Sequence, residues 1–268
     1  MSGFSAHWLR LREAADHQAR DAGLLRLLAE WCSPRASLTV LDLGCGTGSN
    51  ARATAASLAP AQHWRLVDHD AALLEVASQH MAAWSAPGGR AVTVSTEIAD
   101  LTGGLDPLLS APCDLVTAAA LFDLVSTDWL DGLVAALAAR SLPLYTVLIY
   151  DGAMTWEPPH LADEAIREAF NAHQRTDKGF GPAAGPDAGP HLTTRLTEAG
   201  FRVVTAPSPW LLGPPDHALL SANAVGIADA AREMSDLPDA DISAWLTLRS
   251  QGGRCTIGHL DMLALPFR

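Results

Sequence analysis

The segment Val40–Asn50, VLDLGCGTGSN, constrains the fold of this chain more than any other stretch. Leu38–Leu43 (LTVLDL) is a short apolar, β-branched run of the kind that forms a strand buried on both faces. It runs into glycines at 44, 46 and 48 and then into a helical stretch over Ser49–Leu58. Bare glycines directly after a strand let a ligand approach the backbone, and the helix N-terminus that follows offers unpaired N–H groups. A dinucleotide-binding turn carries GxGxxG spacing and seats a pyrophosphate on that helix end. Here the spacing is GxGxG, the sixth position is Ser49, and a carboxylate, Asp42, sits within the strand end. A pyrophosphate gains little beside that carboxylate, whereas an ammonium group does. The segment therefore points away from NAD and towards a ligand with a positively charged amino-acid tail.

The rest of the chain repeats the strand–helix rhythm. Further strands are expected at Trp64–Val67, Ala91–Ser95, Asp114–Ala119 and Leu144–Tyr150, with helices over Ala71–Trp84 and Asp128–Arg140 between them. Helices of this length between strands imply right-handed βαβ units and a parallel sheet covered on both faces. Later strands at Arg202–Ala206 and Cys255–Leu265 bring the expected sheet to seven. Extra helices are expected over 6–31, Ala162–Gln174, Leu192–Gly200, His217–Met234 and Ile242–Ser250, with Asp177–Pro190 (DKGFGPAAGPDAGP) as a loop. The fold class is thus α/β, a Rossmann-like, mostly parallel seven-stranded sheet with helices on both faces and added helices forming a lid. We divide a single domain into an N-terminal helical lid (1–33), a cofactor-binding core (36–150) and two pocket-forming insertions (151–200 and 207–250).

Composition narrows the function. With 49% hydrophobic and 18% charged residues the chain can fill a core of this size. A formal net charge of −12 argues against a nucleic-acid partner, whose affinity would rest on Lys and Arg. Cys32, Cys45, Cys113 and Cys255 are scattered, without zinc-type spacing, so no metal is expected. The start lacks the apolar core of a signal peptide, and no run of about 18 apolar residues occurs. These features place the chain in the cytoplasm, away from membranes, acting on a small molecule; oligomeric state is left open.

The segment LDLGCGTGS resembles the first motif of the class I S-adenosylmethionine-dependent methyltransferases. The resemblance covers residues 36–150 well and the remainder in outline. It implies S-adenosylmethionine as cofactor and S-adenosylhomocysteine as product, and a last strand inserted antiparallel. It also implies that Asp42 and the loop Gly44, Cys45, Gly46 and Gly48 hold the methionine end. Asp68, ending the second strand, would bind the ribose hydroxyls, with His69 along the adenine edge. Asp100 would take the adenine amino group beside Leu101, with Glu97 an alternative in a slipped register. Ala118–Asp123 (AAALFD), including Phe122, would run beside the sulfonium and the acceptor. The Asn/Asp-Pro-Pro-aromatic motif of enzymes that methylate nucleic acid bases is replaced here by ALFD. Many small-molecule members carry His where Asp123 stands.

Other candidates come from position. Arg12 lies four residues before Asp16 and suits either an i,i+4 ion pair or, on a lid helix shared with Trp8 and His17, a fork onto the cofactor carboxylate. His173 continues an apolar helical stripe and opens the polar run Asn171–Lys178, so Asn171, His173 and Lys178 are acceptor-site candidates. Tyr150 and Asp151 end the fifth strand on the ligand-binding edge of such a sheet, as Asp123 ends the fourth. Asp123 and His173 are the candidates for positioning or deprotonating the acceptor. Trp210 either walls the pocket or packs. The resulting expectation is methyl transfer to O or N of a small molecule; a non-catalytic cofactor-binding protein and an NAD-type oxidoreductase are the alternatives.

Overall fold

A computed structural model describes residues 4–267. The N-terminal helical stretch is two helices, α1 (Ala6–Ala19) and α2 (Ala22–Cys32). Ser5 caps α1 by accepting from the Trp8 N–H, and Asp21 caps α2 by accepting from the Leu24 N–H. There follow β1 (Ser37–Leu43), α3 (Ser49–Ala55), β2 (Ala61–Asp68), α4 (Ala71–Ala83), β3 (Ala91–Ile98), β4 (Leu115–Ala119), α5 (Thr127–Arg140) and β5 (Leu144–Glu157). The chain is completed by α6 (Asp163–Gln174), α7 (Ala188–Glu198), β6 (Phe201–Pro207), β7 (Trp210–Leu212), α8 (His217–Met234), α9 (Asp239–Ser250) and β8 (Arg254–Pro266).

The strands form one sheet in the order β3-β2-β1-β4-β5-β8-β6, with β7 also pairing β8. Strands β1 to β5 are mutually parallel, and β8 runs antiparallel to β5, β6 and β7. Strand order reverses between β1 and β4, which leaves a crevice beyond their carboxyl ends, where ligands bind in open α/β sheets. Alternate residues of β1 feed two cores: Leu38 and Val40 pack on one face, Leu41 and Leu43 on the other.

Three details differ from the sequence reading. The sheet has eight strands rather than seven, because Trp210–Leu212 pairs with Cys255–Ile257. Three residues between Pro209 and Gly213 carry too little period-2 signal to be read as a strand. Strand β5 extends to Glu157; beyond Tyr150 its residues alternate exposed and buried, and Asp151 and Gly152 look like a turn in sequence. Helix α7 begins at Ala188 inside the expected loop, with Pro190 in its first turn, where no N–H is required.

Candidate active site

The carboxyl ends of β1, β2, β4 and β5 open into a cavity of about 810 Å³. Helix α1 roofs it; α6, the segment 176–180, α8 and β8 close its far side.

The glycine loop forms the floor. Gly44, Gly46 and Gly48 all have positive φ (59°, 53° and 75°). A Cβ on Gly46 would lie 2.9 Å from Leu9 Cδ1 of α1, and one on Gly44 would lie 3.2 Å from Leu121 Cδ1. Only glycine at these positions lets the roof and the β4 loop come so close. Gly48 is the N-cap of α3, faces Ala77 and Leu66, and is not on the cavity wall. Cys45 is on the wall, and burial pushes its thiol pKa well up, which opposes a thiolate role.

Asp42 is fully buried at the cavity. Its Oδ1 accepts from Asn50 Nδ2 (2.6 Å) and Thr117 Oγ1 (2.8 Å). Its Oδ2 is buried without a hydrogen-bond partner among the described residues. Burial raises its pKa to about 6. Asp68 is held from behind: Oδ2 accepts from the Gly46 N–H (2.9 Å) and Oδ1 from the Asp70 N–H (3.0 Å). Each oxygen keeps a further lone pair for a ligand. His69 Nδ1 lies 3.3 Å from Asp68 Oδ1 on a half-exposed ring. Asp70 caps α4, accepting from the Ala72 and Leu73 N–H groups. Asp100 accepts from the Thr102 N–H (2.9 Å), which lowers its pKa, and shares the wall with Leu101. Glu97 instead pairs with Arg65 (3.1 Å), away from the cavity.

Helix α1 supplies Trp8, Leu9, Arg12 and Asp16 to the wall, joined by its C-cap Arg20. It is fastened to α3 and its flank by Glu13–Arg52 (2.6 Å), His17–Ser49 (2.8 Å) and Arg20–Asn50 (2.9 Å). Arg12 makes the ion pair with Asp16 (2.8 Å) and also lines the cavity, its guanidinium 4.9 Å from the Trp210 ring centroid. Trp210 Nε1 donates to Asp16 Oδ1 (3.0 Å), so this tryptophan both packs and walls the cavity.

On the far side the structure brings together Asp123, Tyr150, His173 and Lys178. Asp123 is buried, with Oδ1 lacking a partner among the described residues, and burial raises its pKa to about 6. His173 lies between Lys178 (3.4 Å) and Glu233 (3.6 Å), and burial lowers the pKa of both His173 and Lys178. Asn171 stands behind Tyr150: it accepts from the tyrosine hydroxyl (2.7 Å) and donates to the Gly152 carbonyl (3.0 Å). Asp151 is exposed and turned from the cavity against Gly258, accepting from the Ala153 N–H (2.9 Å). Phe122 is core, packed on Trp129, and Ala118 is interior to the sheet; neither is on the wall.

Sequence reasoning missed His259 and Asn223. His259 is only 6% exposed, lies directly opposite Tyr150 in the β5–β8 register and lines the cavity. Burial, assisted by Arg12, lowers its pKa to about 3. Its signal in sequence is the alternation Ile257, His259, Asp261 in the last strand, which has meaning only once β8 is known to lie beside β5. Asp261 shapes the site indirectly. Its two oxygens accept from the Leu148 N–H (2.9 Å) and the Asp21 N–H (2.9 Å), holding the β5 bulge, where Leu148 has φ 61°, to the α1–α2 junction.

Of eleven buried polar side-chain atoms without a partner among the described residues, six belong to this one wall: Trp8, Arg20, Asp42, Asp123, Asn223 and His259. Such groups are costly to leave unpaired, and their convergence marks a ligand site. No group of three or more His, Cys, Asp or Glu suited to a metal ion occurs among the described residues.

Residues 40–142 match a family model described as a methyltransferase domain. No curated protein matches the sequence. Among solved structures, the chain resembles a cyclopropane-fatty-acyl-phospholipid synthase-like protein from Lactobacillus casei (17% identity, 99% of this chain and 95% of that one, TM-score 0.56). It also resembles YcgJ from Bacillus subtilis (15%, 92% and 100%, TM-score 0.54) and the cyclopropane synthase MmaA2 from Mycobacterium tuberculosis (13%, 97% and 94%, TM-score 0.51). At these identities the likeness is one of fold. Together, the matched segment and the fold liken residues 40–142 to a methyltransferase domain.

Proposed function

We propose that the cavity holds S-adenosylmethionine along its floor and a small-molecule acceptor on its far side, and that the methyl group passes to O or N of that acceptor. The observation that carries the reading is the pairing of two carboxylates along the glycine loop. Asp42 presents an unanswered buried oxygen where an ammonium group would satisfy it, and Asp68 presents two back-anchored oxygens suited to a ribose diol. Asp100, with His69 and Leu101, would take the adenine, and Arg12 the cofactor carboxylate. The bound cofactor supplies an electrophilic methyl on a sulfonium that discharges on transfer. The chain's own contribution is to position the partners and exclude water. Asp123 and His173 are the groups on the far side able to hold or take an acceptor proton, with Tyr150, Asn171 and Lys178 shaping that side.

The lid and insertion scheme is supported unevenly. Helices α1, α6 and α8 contribute wall residues, whereas α7 and α9, though within the proposed insertions, contribute none. A small acceptor suits a chamber closed by helices on a chain of net charge −12. No helix among the described residues is long and apolar enough to cross a membrane. The test is Asp68→Ala: calorimetry should show S-adenosylhomocysteine affinity falling at least about 100-fold, while the unfolding transition stays cooperative. Unchanged affinity would rule out the ribose assignment.

A further inference from the structure

We infer that Lys178 anchors a carboxylate carried by the acceptor, and so selects acidic small molecules and turns their other end towards the methyl group. The inference rests on the cofactor and acceptor arrangement above. It adds the charge class of the substrate, which that arrangement leaves open.

Lys178 is the only lysine in the sequence. It lies half-buried on the cavity wall, in the segment that follows α6. Asp177 pins that segment, its Oδ1 accepting from the Gly179 N–H (2.6 Å) and the Gly181 N–H (3.0 Å). Just beyond the lysine, Phe180 stands edge-on to Trp129, with ring centroids 5.9 Å apart. Trp129 Nε1 in turn donates to the Leu101 carbonyl (2.7 Å). The turn is thereby braced against the side of the cavity proposed for the adenine. The cofactor's own carboxylate belongs at the opposite end, beside Asp42 and Arg12, so an anion at Lys178 would have to come with the acceptor.

Donors and acceptors select the group. An ammonium carries three hydrogens and accepts nothing. One hydrogen goes to Thr176 Oγ1 (2.8 Å) and one to His173 Nδ1 (3.4 Å), which leaves the third free. Thr176 spends its own hydrogen on the His173 carbonyl (2.8 Å). His173, accepting at Nδ1, carries its proton on Nε2, 3.6 Å from Glu233. Neither neighbour has a donor left over, and Lys178 makes no ion pair among the described residues. Glu233 acts on it only from across the imidazole, on a side chain 68% exposed. The two arginines of the wall are engaged elsewhere: Arg12 forks onto Asp16, and Arg20 offsets the buried charge of Asp42. Burial lowers the pKa of Lys178, the mark of a charge short of solvation, which an anion would restore. A single charge with one free N–H suits a carboxylate oxygen. A phosphate, with up to two charges and three strong acceptors, calls for more donors than stand here. Elsewhere the wall repels an acid through Asp42, Asp68, Asp100 and Asp123. An acidic acceptor thus has one favourable orientation, with its carboxylate on Lys178 and its other end free to meet the methyl group.

The experiment uses the full chain saturated with S-adenosylhomocysteine and titrates matched acids and amides by calorimetry: benzoate and benzamide, phenylacetate and phenylacetamide, hexanoate and hexanamide. Within each pair shape is nearly constant and charge is not. In at least one pair the acid should bind at least about tenfold more tightly than its amide, the worth of one charge-assisted hydrogen bond. Lys178→Met should abolish that margin while keeping S-adenosylhomocysteine affinity. Because the chain has a single lysine, a second measurement needs no variant. Acetylation of the Lys178 amine by an activated ester, followed by peptide mass spectrometry, should slow several-fold when the preferred acid is bound and not when its amide is present. The proposal is overturned if no pair favours the acid, if the margin survives Lys178→Met, or if the bound acid leaves acetylation of Lys178 unchanged. Weakened S-adenosylhomocysteine binding in Lys178→Met would also overturn it, by assigning the lysine to the cofactor. Failure of the parent chain to bind S-adenosylhomocysteine would sink the cofactor reading instead.

Discussion

Asp123 shows how a single residue trades stability for a working site. Its carboxyl is buried with no partner for Oδ1 among the described residues, and burial lifts its pKa from 3.8 to about 6, against some relief from its own backbone N–H and from Arg12. Between those values the folded chain holds a proton that the unfolded chain releases, so stability falls as pH rises through the interval and stays reduced above it. Asp123→Asn removes the ionisable group. It should raise the stability of the ligand-free protein at neutral pH by up to about 2 kcal/mol and by almost nothing at about pH 3, below both values, where both states are largely protonated. Urea unfolding at the two pH values checks this; an equal gain at both would mean that packing, not charge, sets the cost. The same substitution should slow methyl transfer at least about 100-fold and remove the fall in kcat/KM below pH about 6. Asp42 has a similarly raised pKa but is anchored by Asn50 and Thr117, so its replacement also breaks a network. The residues that were legible in the sequence, Asp42, the glycines, Asp68 and Asp100, all lie at or just beyond the carboxyl ends of successive strands, where local pattern places them. His259 and Asn223 arrive by long-range pairing and helix docking, and nothing near them in sequence announces that.

At the scale of elements, the telling contact is the seating of α1 on the glycine loop. Leu9 occupies the space where a side chain on Gly46 would stand, so the roof reads the shape of the floor. Gly46→Ala therefore carries two penalties: an L-residue at φ 53°, costing about 1–2 kcal/mol, and a close contact that forces the Leu9 side chain to shift. Adding Leu9→Ala should restore the second and leave the first. The double variant should thus bind S-adenosylhomocysteine more tightly than Gly46→Ala alone while remaining less stable than the parent. Calorimetry and urea unfolding on the three variants test the coupling, and strictly additive losses would show that α1 and the loop act independently. The strand–helix alternation through β5 was readable because each element carries its own period. The extension of β5 was not, because Asp151 and Gly152 look like a turn until β8 supplies a partner for the strand beyond them. Nor was β7, whose three residues exist as a strand only through that same partner. Strand β8 thus organises the half of the site that local patterns do not reach, by pairing Tyr150 with His259 and by holding the Leu148 bulge through Asp261.

The whole molecule is an acidic α/β fold whose cavity floor is lined by carboxylates and whose proposed cofactor carries an ammonium and a sulfonium. Asp42 Oδ2 is buried without a partner among the described residues, an unfavourable arrangement that a cationic ligand relieves and an anionic one worsens. Selectivity between adenosyl ligands and dinucleotides should therefore appear in global stability. S-adenosylhomocysteine at a hundred times its dissociation constant stabilises a one-site fold by about 2.7 kcal/mol. For a domain of this length that is a rise in Tm of roughly 5–10 °C. NADH should give no rise, since its pyrophosphate would have to settle beside Asp42 and on a GxGxG turn lacking the third glycine of the dinucleotide pattern. The Asp68→Ala chain, with its folding transition intact, should lose most of the adenosyl-dependent rise. Stabilisation by NADH alone would show that the carboxylate at the strand end does not govern the site. Stabilisation by both would show that it tolerates either charge, and the reading of Asp42 as the anchor of an ammonium group would fall with it.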